Sequence, residues 1–256
     1  MKAVILAAGR GTRIDEVTHG LPKCLIKFGD RTILDSQIEG LTAAGISDIS
    51  IVVGHNATRI VNHVRLRYGS FFRRVQFIYN PEYARTNNIY SLWTAREPLI
   101  GSDFICLNAD VLCHPQILKA ATEGPELVSM VVDPEWRDET MKVIIRNGCV
   151  VRMSKGLTPK DASGTYIGFT RFSHEITGPL FDEIRAMVEN GFVNQFFNSA
   201  VQHLVDGGLR VGVTYTAKLP WAEIDDPSDY RAAWRDVYPL LPWAAATATD
   251  PLSAVA

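Results

Sequence analysis

The chain has 256 residues, 46% hydrophobic and 21% charged, an ordinary globular mix with enough length for one well-filled core and a small appendage. A net charge of −2 argues against a nucleic-acid binder, whose footprint would be basic, and no apolar run approaches the ~20 residues that a membrane span needs. A single Lys2 before a short apolar run is unlike a secretion signal, and Cys24, Cys106, Cys113 and Cys149 lack metal-like spacing, so free thiols in a cytoplasmic protein are expected.

In chain order, residues 3–8 are an apolar run expected as a buried parallel strand, breaking at Gly9-Arg10-Gly11-Thr12-Arg13. Helical periodicity covers 33–41 and ends at Ala43-Ala44-Gly45; 48–54 reads as a strand, 55–68 as a helix and 75–79 as a strand. A turn-prone stretch, 80–88, leads into a helix from 89 to about 96, and 103–110 is a fourth strand stopping on a carboxylate. Strand alternating with helix implies an α/β fold, with a mostly parallel sheet flanked by helices on right-handed crossovers. Short strand-like runs at 127–132, 142–145, 150–153 and 166–172 then suggest an antiparallel extension beside or over that sheet. Helices at 175–189 and 193–205, a strand at 209–215 and a short helix at 229–237 complete a single domain over 1–238. The Pro- and Ala-rich tail, 239–256, is expected to be poorly ordered or used in packing.

The chemistry begins at the first loop. Gly9 and Gly11 allow a sharp turn and close approach of a ligand to the backbone, and successive N–H groups of such a turn make a concave anion site. Arg10, Thr12 and Arg13 add charge and a hydroxyl, so a phosphate-bearing ligand is the natural occupant. A dinucleotide fingerprint fails because Ile14 stands where a third small residue is needed, and no Gly-Lys-Ser/Thr string exists for a Walker loop. Ligands of open α/β sheets lie beyond the carboxyl ends of the strands, where both the glycine turn and Asp110 fall.

The Gly9–Arg13 turn followed by Leu21-Pro22-Lys23-Cys24-Leu25-Ile26 resembles the paired signature of the nucleotidyltransferases that act on sugar phosphates and related esters. The string Asn87-Asn88-Ile89-Tyr90-Ser91 is similar to the phosphocholine and phosphonate cytidylyltransferases within that superfamily. The resemblance covers about residues 1–237 and implies a Rossmann-like fold of the nucleotide-diphospho-sugar transferase type. It implies catalytic roles for Lys23, against the α-phosphate, and for Arg13, against the β- and γ-phosphates. Further nucleotide contacts fall to Leu6, Ala8, Gly9, Gly11, Thr12, Asn88, Ser91 and Asn108. Asp110, after Phe104-Ile-Cys-Leu, matches the position that holds Mg²⁺, and Asp225 in Trp221-Ala-Glu-Ile-Asp225 matches the second, C-terminal carboxylate. A strand-end Asp taken alone is more often a helix cap.

Similar matches at Met141-Lys142-Val143, Ser154-Lys155 and Gly164-Thr-Tyr-Ile-Gly168, with Trp136, imply acceptor contacts from Trp136, Lys142, Lys155 and Tyr166. Relatives that handle cationic acceptors carry acids after the glycine turn, whereas Gly191–Ser199 here has none, which leaves neutral or anionic phosphonates open beside a choline covered by Trp136. Phe196 and Phe197 read as core residues. The expected reaction is transfer of CMP from CTP to a small phosphate or phosphonate with release of pyrophosphate, by a monomer or homodimer. The rivals are a sugar-1-phosphate uridylyl- or guanylyltransferase and a non-catalytic nucleotide-sensing module.

Overall fold

A computed structural model describes residues 1–244 of the chain. Its strands are β1 (Lys2–Ala7), β2 (Lys27–Phe28), β3 (Arg31–Thr32), β4 (Ile49–Val53), β5 (Val75–Tyr79), β6 (Phe104–Asn108) and β7 (Val111–Cys113). The second half adds β8 (Val128–Asp133), β9 (Lys142–Arg146), β10 (Cys149–Ser154), β11 (Gly164–Phe172), β12 (Val211–Tyr215) and β13 (Trp221–Glu223). The helices are α1 (Asp15–Thr18), α2 (Ile33–Ala43), α3 (Ala57–Tyr68), α4 (Asn88–Thr94), α5 (Arg96–Leu99), α6 (Pro115–Ala121), α7 (His174–Glu189), α8 (Asn198–Asp206) and α9 (Pro227–Ala232).

Nine strands form one mixed sheet in the order β5-β4-β1-β6-β11-β8-β12-β10-β9. β5, β4, β1 and β6 are parallel, with Ile5 beside Ile51 on one flank and Leu107 on the other. Strand β1 is apolar at every position from Ala3 because it is covered on both faces: Ala3, Ile5 and Ala7 pack with α2 and α3, while Val4, Leu6 and Ala8 pack with α4 and α7. The order reverses between β1, which leads outward to β4 and β5, and β6 on its other side. That is a topological switch point, and the glycine turn leaves β1 there.

The expected antiparallel extension lies beside the parallel strands and is continuous with them in one sheet. β11 pairs antiparallel with β6 and with β8, but β12 runs parallel to β8, and β9 also pairs back onto β11. The helix expected from 193 begins only at Asn198, because the carbonyls of Val193 and Gln195 accept from the backbone N–H groups of Asn87 and Ile89, at 3.0 and 3.3 Å. The expected 229–237 helix starts at Pro227 and widens into a π-helical turn over Ala233–Val237. Residues 245–256 of the expected tail lie outside the described residues. Its first part packs: Leu241 is buried, and Trp243 rests against Tyr238 and under the Arg31 guanidinium. With Phe28, Tyr230 and Trp234 these residues form a third core beneath the β2–β3 hairpin.

Helices α2 and α3 are tied by a buried carboxylate. Asp35 closes the capping box of α2 with Thr32, and its Oδ1 accepts from Tyr68 Oη at 2.8 Å and pairs with His63 Nε2 at 2.9 Å. Burial pushes the Asp35 carboxyl up, but His63, the Thr32 N–H and Tyr68 together outweigh it and hold it down at about 2. A lowered carboxyl pKa stabilises the fold above the unfolded value near 4 and loses that contribution as the pH falls towards the folded value. The stability advantage of the wild type over Asp35→Asn in urea titrations should therefore shrink by about 2 kcal/mol between pH 5.5 and pH 2. An advantage that is constant across that range would refute the charged-carboxylate account.

Candidate active site

The glycine turn, the end of β6 and the β13 segment meet at the switch point around a cavity of about 370 Å³. Gly11 adopts φ +61°, and a Cβ there would stand 2.7 Å from Lys23 Cγ, so the left-handed glycine both makes the turn and leaves the passage for Lys23. Lys23 opens a single 3₁₀ turn after Pro22, with the Leu25 N–H on the Pro22 carbonyl at 2.8 Å and the Ile26 N–H on that of Lys23 at 2.9 Å.

Asp110 sits on the tight turn between β6 and β7. Gln37 of α2, fully buried, holds that turn by donating from Nε2 to the carbonyls of Asn108 (2.8 Å) and Val111 (3.0 Å). The second carboxylate arrives through β13, which pairs antiparallel with β7 so that Glu223 lies opposite Val111, and the Ile224 N–H donates to the Asp110 carbonyl at 2.9 Å. Asp229 in turn accepts from the N–H groups of Asp225 (2.9 Å) and Asp226 (3.1 Å), fixing the residues just past the strand. A three-residue ladder thus joins acids more than a hundred positions apart.

The Lys23 ammonium lies between these acids, hydrogen-bonded to Asp225 Oδ1 and 3.7 Å from Asp110 Oδ2; Arg13 reaches Asp225 Oδ2 at 2.7 Å. Burial works against ionised Asp225, yet Lys23 and Arg13 outweigh it and keep the carboxyl below its ordinary range. Asp110 goes the other way: burial first, then the Asp225 charge, raise it beyond what Lys23 offsets. Glu223 is pushed up to about 8 by burial and by the charges of Asp110 and Asp225. Lys23 and Arg13 lie against the two aspartates and Lys155 adds positive charge near Glu223, yet Asp110 Oδ1 is buried with no hydrogen-bond partner. Among the described residues no group of three or more His, Cys, Asp or Glu side chains is arranged to hold a metal ion alone.

Of the residues singled out by sequence, Leu6, Ala8, Gly9, Gly11, Thr12, Arg13 and Lys23 line the cavity from the β1 side. Asn88, Ser91, Asn108, Asp110, Lys155 and Asp225 line it elsewhere. Asn88 also has a structural duty, since its Oδ1 accepts from the Phe197 N–H at 2.8 Å; Ser91 Oγ accepts from Asn80 Nδ2 at 3.1 Å. Asn108 has room only because Gly168, at φ +91°, carries no Cβ, which would fall 2.9 Å from Asn108 Nδ2.

Three expected acceptor residues do not reach the cavity. Lys142 is 2% exposed, with its ammonium 5.0 Å from the Trp136 ring and 3.4 Å from the Lys155 carbonyl, while the Trp136 indole N–H is buried without a hydrogen-bond partner. Tyr166 is 3% exposed and turned into the core, its hydroxyl 2.8 Å from Thr170 Oγ1 across the irregular stretch of β11. Phe197 is core as expected, whereas Phe196 lines the cavity with the Lys155 ammonium 5.1 Å from its ring. Asn80, Tyr83, Thr86 and Asn87 also line it and went unassigned, although the turn-prone 80–88 stretch contains them; Glu223 was overlooked two positions before Asp225.

A second cavity of about 330 Å³ adjoins the first and shares Glu223 and Asp225 with it. Its walls carry Asp138, Glu139, Asp226 and Asp229 beside Arg137.

Comparison with known proteins places the chain among nucleotidyltransferases. The chain is 26% identical to the CTP:phosphoglutamine cytidylyltransferase of Campylobacter jejuni over 90% of its own length and 97% of the relative's. It is 28% identical to the CMP-5′-(3-aminopropyl)phosphonate synthase of Streptomyces rubellomurinus over 91% of this chain but 38% of that longer protein. A mannose-1-phosphate guanyltransferase of Aspergillus oryzae is 34% identical over 144 residues, 52% of this chain and 39% of the relative. The solved structure of the CTP:phosphocholine cytidylyltransferase of Streptococcus pneumoniae superposes with a TM-score of 0.77 at 25% identity, covering 91% of this chain and 97% of that one. The nucleotidyl transferase family pattern matches residues 2–144, more than half of the chain, and the protein belongs to that family.

Proposed function

We propose that this nucleotidyltransferase transfers CMP from CTP to a small phosphate or phosphonate that bears a cationic end, releasing pyrophosphate. The observation that carries the reading is the convergence of Arg13, Lys23, Asp110 and Asp225 on one cavity beside an acid-lined second one. The similarity to cytidylyltransferases of phosphoglutamine and phosphocholine supports CTP as donor.

In this reading the triphosphate lies along the glycine turn. A phosphate or phosphonate oxygen of the acceptor attacks the α-phosphorus, the new P–O bond forms, and the bond to the bridging oxygen breaks as pyrophosphate leaves with the electron pair. A phosphate monoester is already mostly ionised near neutrality, with a second pKa of roughly 6, so no side chain need remove a proton. Lys23 turns its ammonium to the α-phosphate oxygens, where charge grows, and Arg13 holds the departing phosphates through its planar fork. The amine of the acceptor faces Asp138, Glu139, Asp226 and Asp229. The residues fit a divalent ion, because Mg²⁺ prefers one or two carboxylates with substrate phosphates, and the unpartnered Asp110 Oδ1 is an oxygen ligand still to be satisfied. Asp110 and Asp225 would hold it, and when bound it supplies Lewis-acid neutralisation of phosphate charge.

Pyrophosphate release with a panel of nucleoside triphosphates and acceptors should show CTP preferred over UTP, GTP and ATP, and aminoethylphosphonate over hydroxyethylphosphonate. Preference for GTP with mannose 1-phosphate would replace this reading with sugar-phosphate guanylyl transfer, which the guanyltransferase similarity favours. Lys23→Ala should lower kcat by about 10²–10³, the usual loss for one preorganised charge donor, with an unchanged circular dichroism spectrum. Undiminished turnover would remove Lys23 from the chemistry. Gly11→Ala should cost about 1 kcal/mol of stability from the left-handed backbone, and activity should fall further than that loss explains as Lys23 is displaced. Urea midpoints and steady-state rates on the same preparation separate the two effects.

A further inference from the structure

The loop of residues 134–141 between β8 and β9 lines the second cavity through residues 137–140 and meets the glycine turn at Arg13. Its base is fixed. The Arg137 guanidinium lies 4.0 Å over the Trp221 ring, the Arg137 N–H donates to Thr165 Oγ1 at 3.1 Å, and that hydroxyl donates to the Glu135 carbonyl at 2.8 Å. Its tip is held differently. Thr140 bonds back to the carbonyls of Asp138 (2.7 Å) and Arg137 (3.0 Å), so these hydrogen bonds stay inside the loop. Glu139, in the left-handed region at φ 57°, extends to Arg13 with Oε2 3.2 Å from Nη1. The other fork of the same guanidinium is on Asp225, so Arg13 is spanned by two carboxylates.

We propose that Glu139 is a positioning residue for substrate order, a latch on Arg13 that an incoming nucleoside triphosphate must displace before the acceptor can settle in the second cavity. The inference rests on the triphosphate reading given above. Arg13 lines the first cavity and Glu139 the second, so their ion pair crosses the rim between the two. A triphosphate offers Arg13 several anionic oxygens at once, and its charge repels the Glu139 carboxylate. The pair is an easy one to break: the Glu139 side chain is 77% exposed, and ion pairs in such positions change an equilibrium by no more than about fivefold. Release frees the tip while Arg137 keeps the base, which widens the second cavity next to Glu223 and Asp225, where the acceptor meets the α-phosphate. Nucleotide then binds first and the acceptor second.

Titration calorimetry with CTP and Mg²⁺, without acceptor, tests the latch on wild type and Glu139→Gln. The variant should bind CTP about two- to fivefold more tightly in low salt, with the gap closing as ionic strength rises. Hydrogen exchange supplies a readout that a purely structural glutamate would not move: peptides within 134–141 should exchange faster when CTP is added to the wild type, and should already be fast in nucleotide-free Glu139→Gln. Glu139→Asp, which keeps the charge, should behave as the wild type. Equal CTP affinity in wild type and Glu139→Gln, or loop exchange that CTP leaves unchanged or slows, overturns the latch alone. CTP binding to neither protein overturns both the latch and the nucleotide reading beneath it.

Discussion

The site depends on one short piece of backbone pairing, the ladder between Val111–Cys113 and Trp221–Glu223. Bringing acids together in a dry protein interior is unfavourable, and Asp110, Glu223 and Asp225 would repel each other apart if the chain were free to let them. Main-chain hydrogen bonds of β7 and β13, the Ile224 N–H on the Asp110 carbonyl and the Asp229 clasp on residues 225 and 226 remove that freedom. Lys23 and Arg13 then compensate part of the charge. What remains uncompensated, seen in the raised Asp110 and Glu223 carboxyls and the unpartnered Asp110 oxygen, is stored attraction for a cation.

This arrangement accounts for what could and could not be read from the residues. Strand β1 was legible because burial on both faces leaves an unbroken apolar run, and the glycine turn because few residues tolerate its backbone. Asp110 and Asp225 were recognisable only through their surroundings, since the pairing that unites them spans over a hundred residues and leaves no local periodicity. The start of α8 was misjudged for a similar reason: carbonyls at 193 and 195 are claimed by the distant Asn87–Ile89 segment, a competition invisible within any helical window. Helix α6 was missed because seven residues give little period to detect. Lys142 and Tyr166 point inward because of the β9–β11 contact and the register shift in β11, neither of which the residue types announce.

The two adjoining cavities differ in what lines them. The first is built from backbone turns and amides, suited to an extended phosphate chain and a flat base; the second is walled by carboxylates. Glu223 and Asp225 belong to both, so the two cavities share an acidic wall. Family membership supplies the reaction type, while the proposal of a cationic acceptor rests on the acids lining the second cavity.

The aromatic cluster of Tyr230, Trp234, Tyr238 and Trp243 under the Phe28 hairpin has a consequence for biosynthesis. Chains fold from the N-terminus as they leave the ribosome, and the parallel half of the sheet has its strands in hand early. The buttress behind the Lys23 segment and the Asp225 carboxylate are made of residues translated after that half is complete. A nascent polypeptide of two hundred residues carries the glycine turn but lacks β13, Asp225 and the Asp229 clasp, so the cluster of acids and cations can close only after those residues are made.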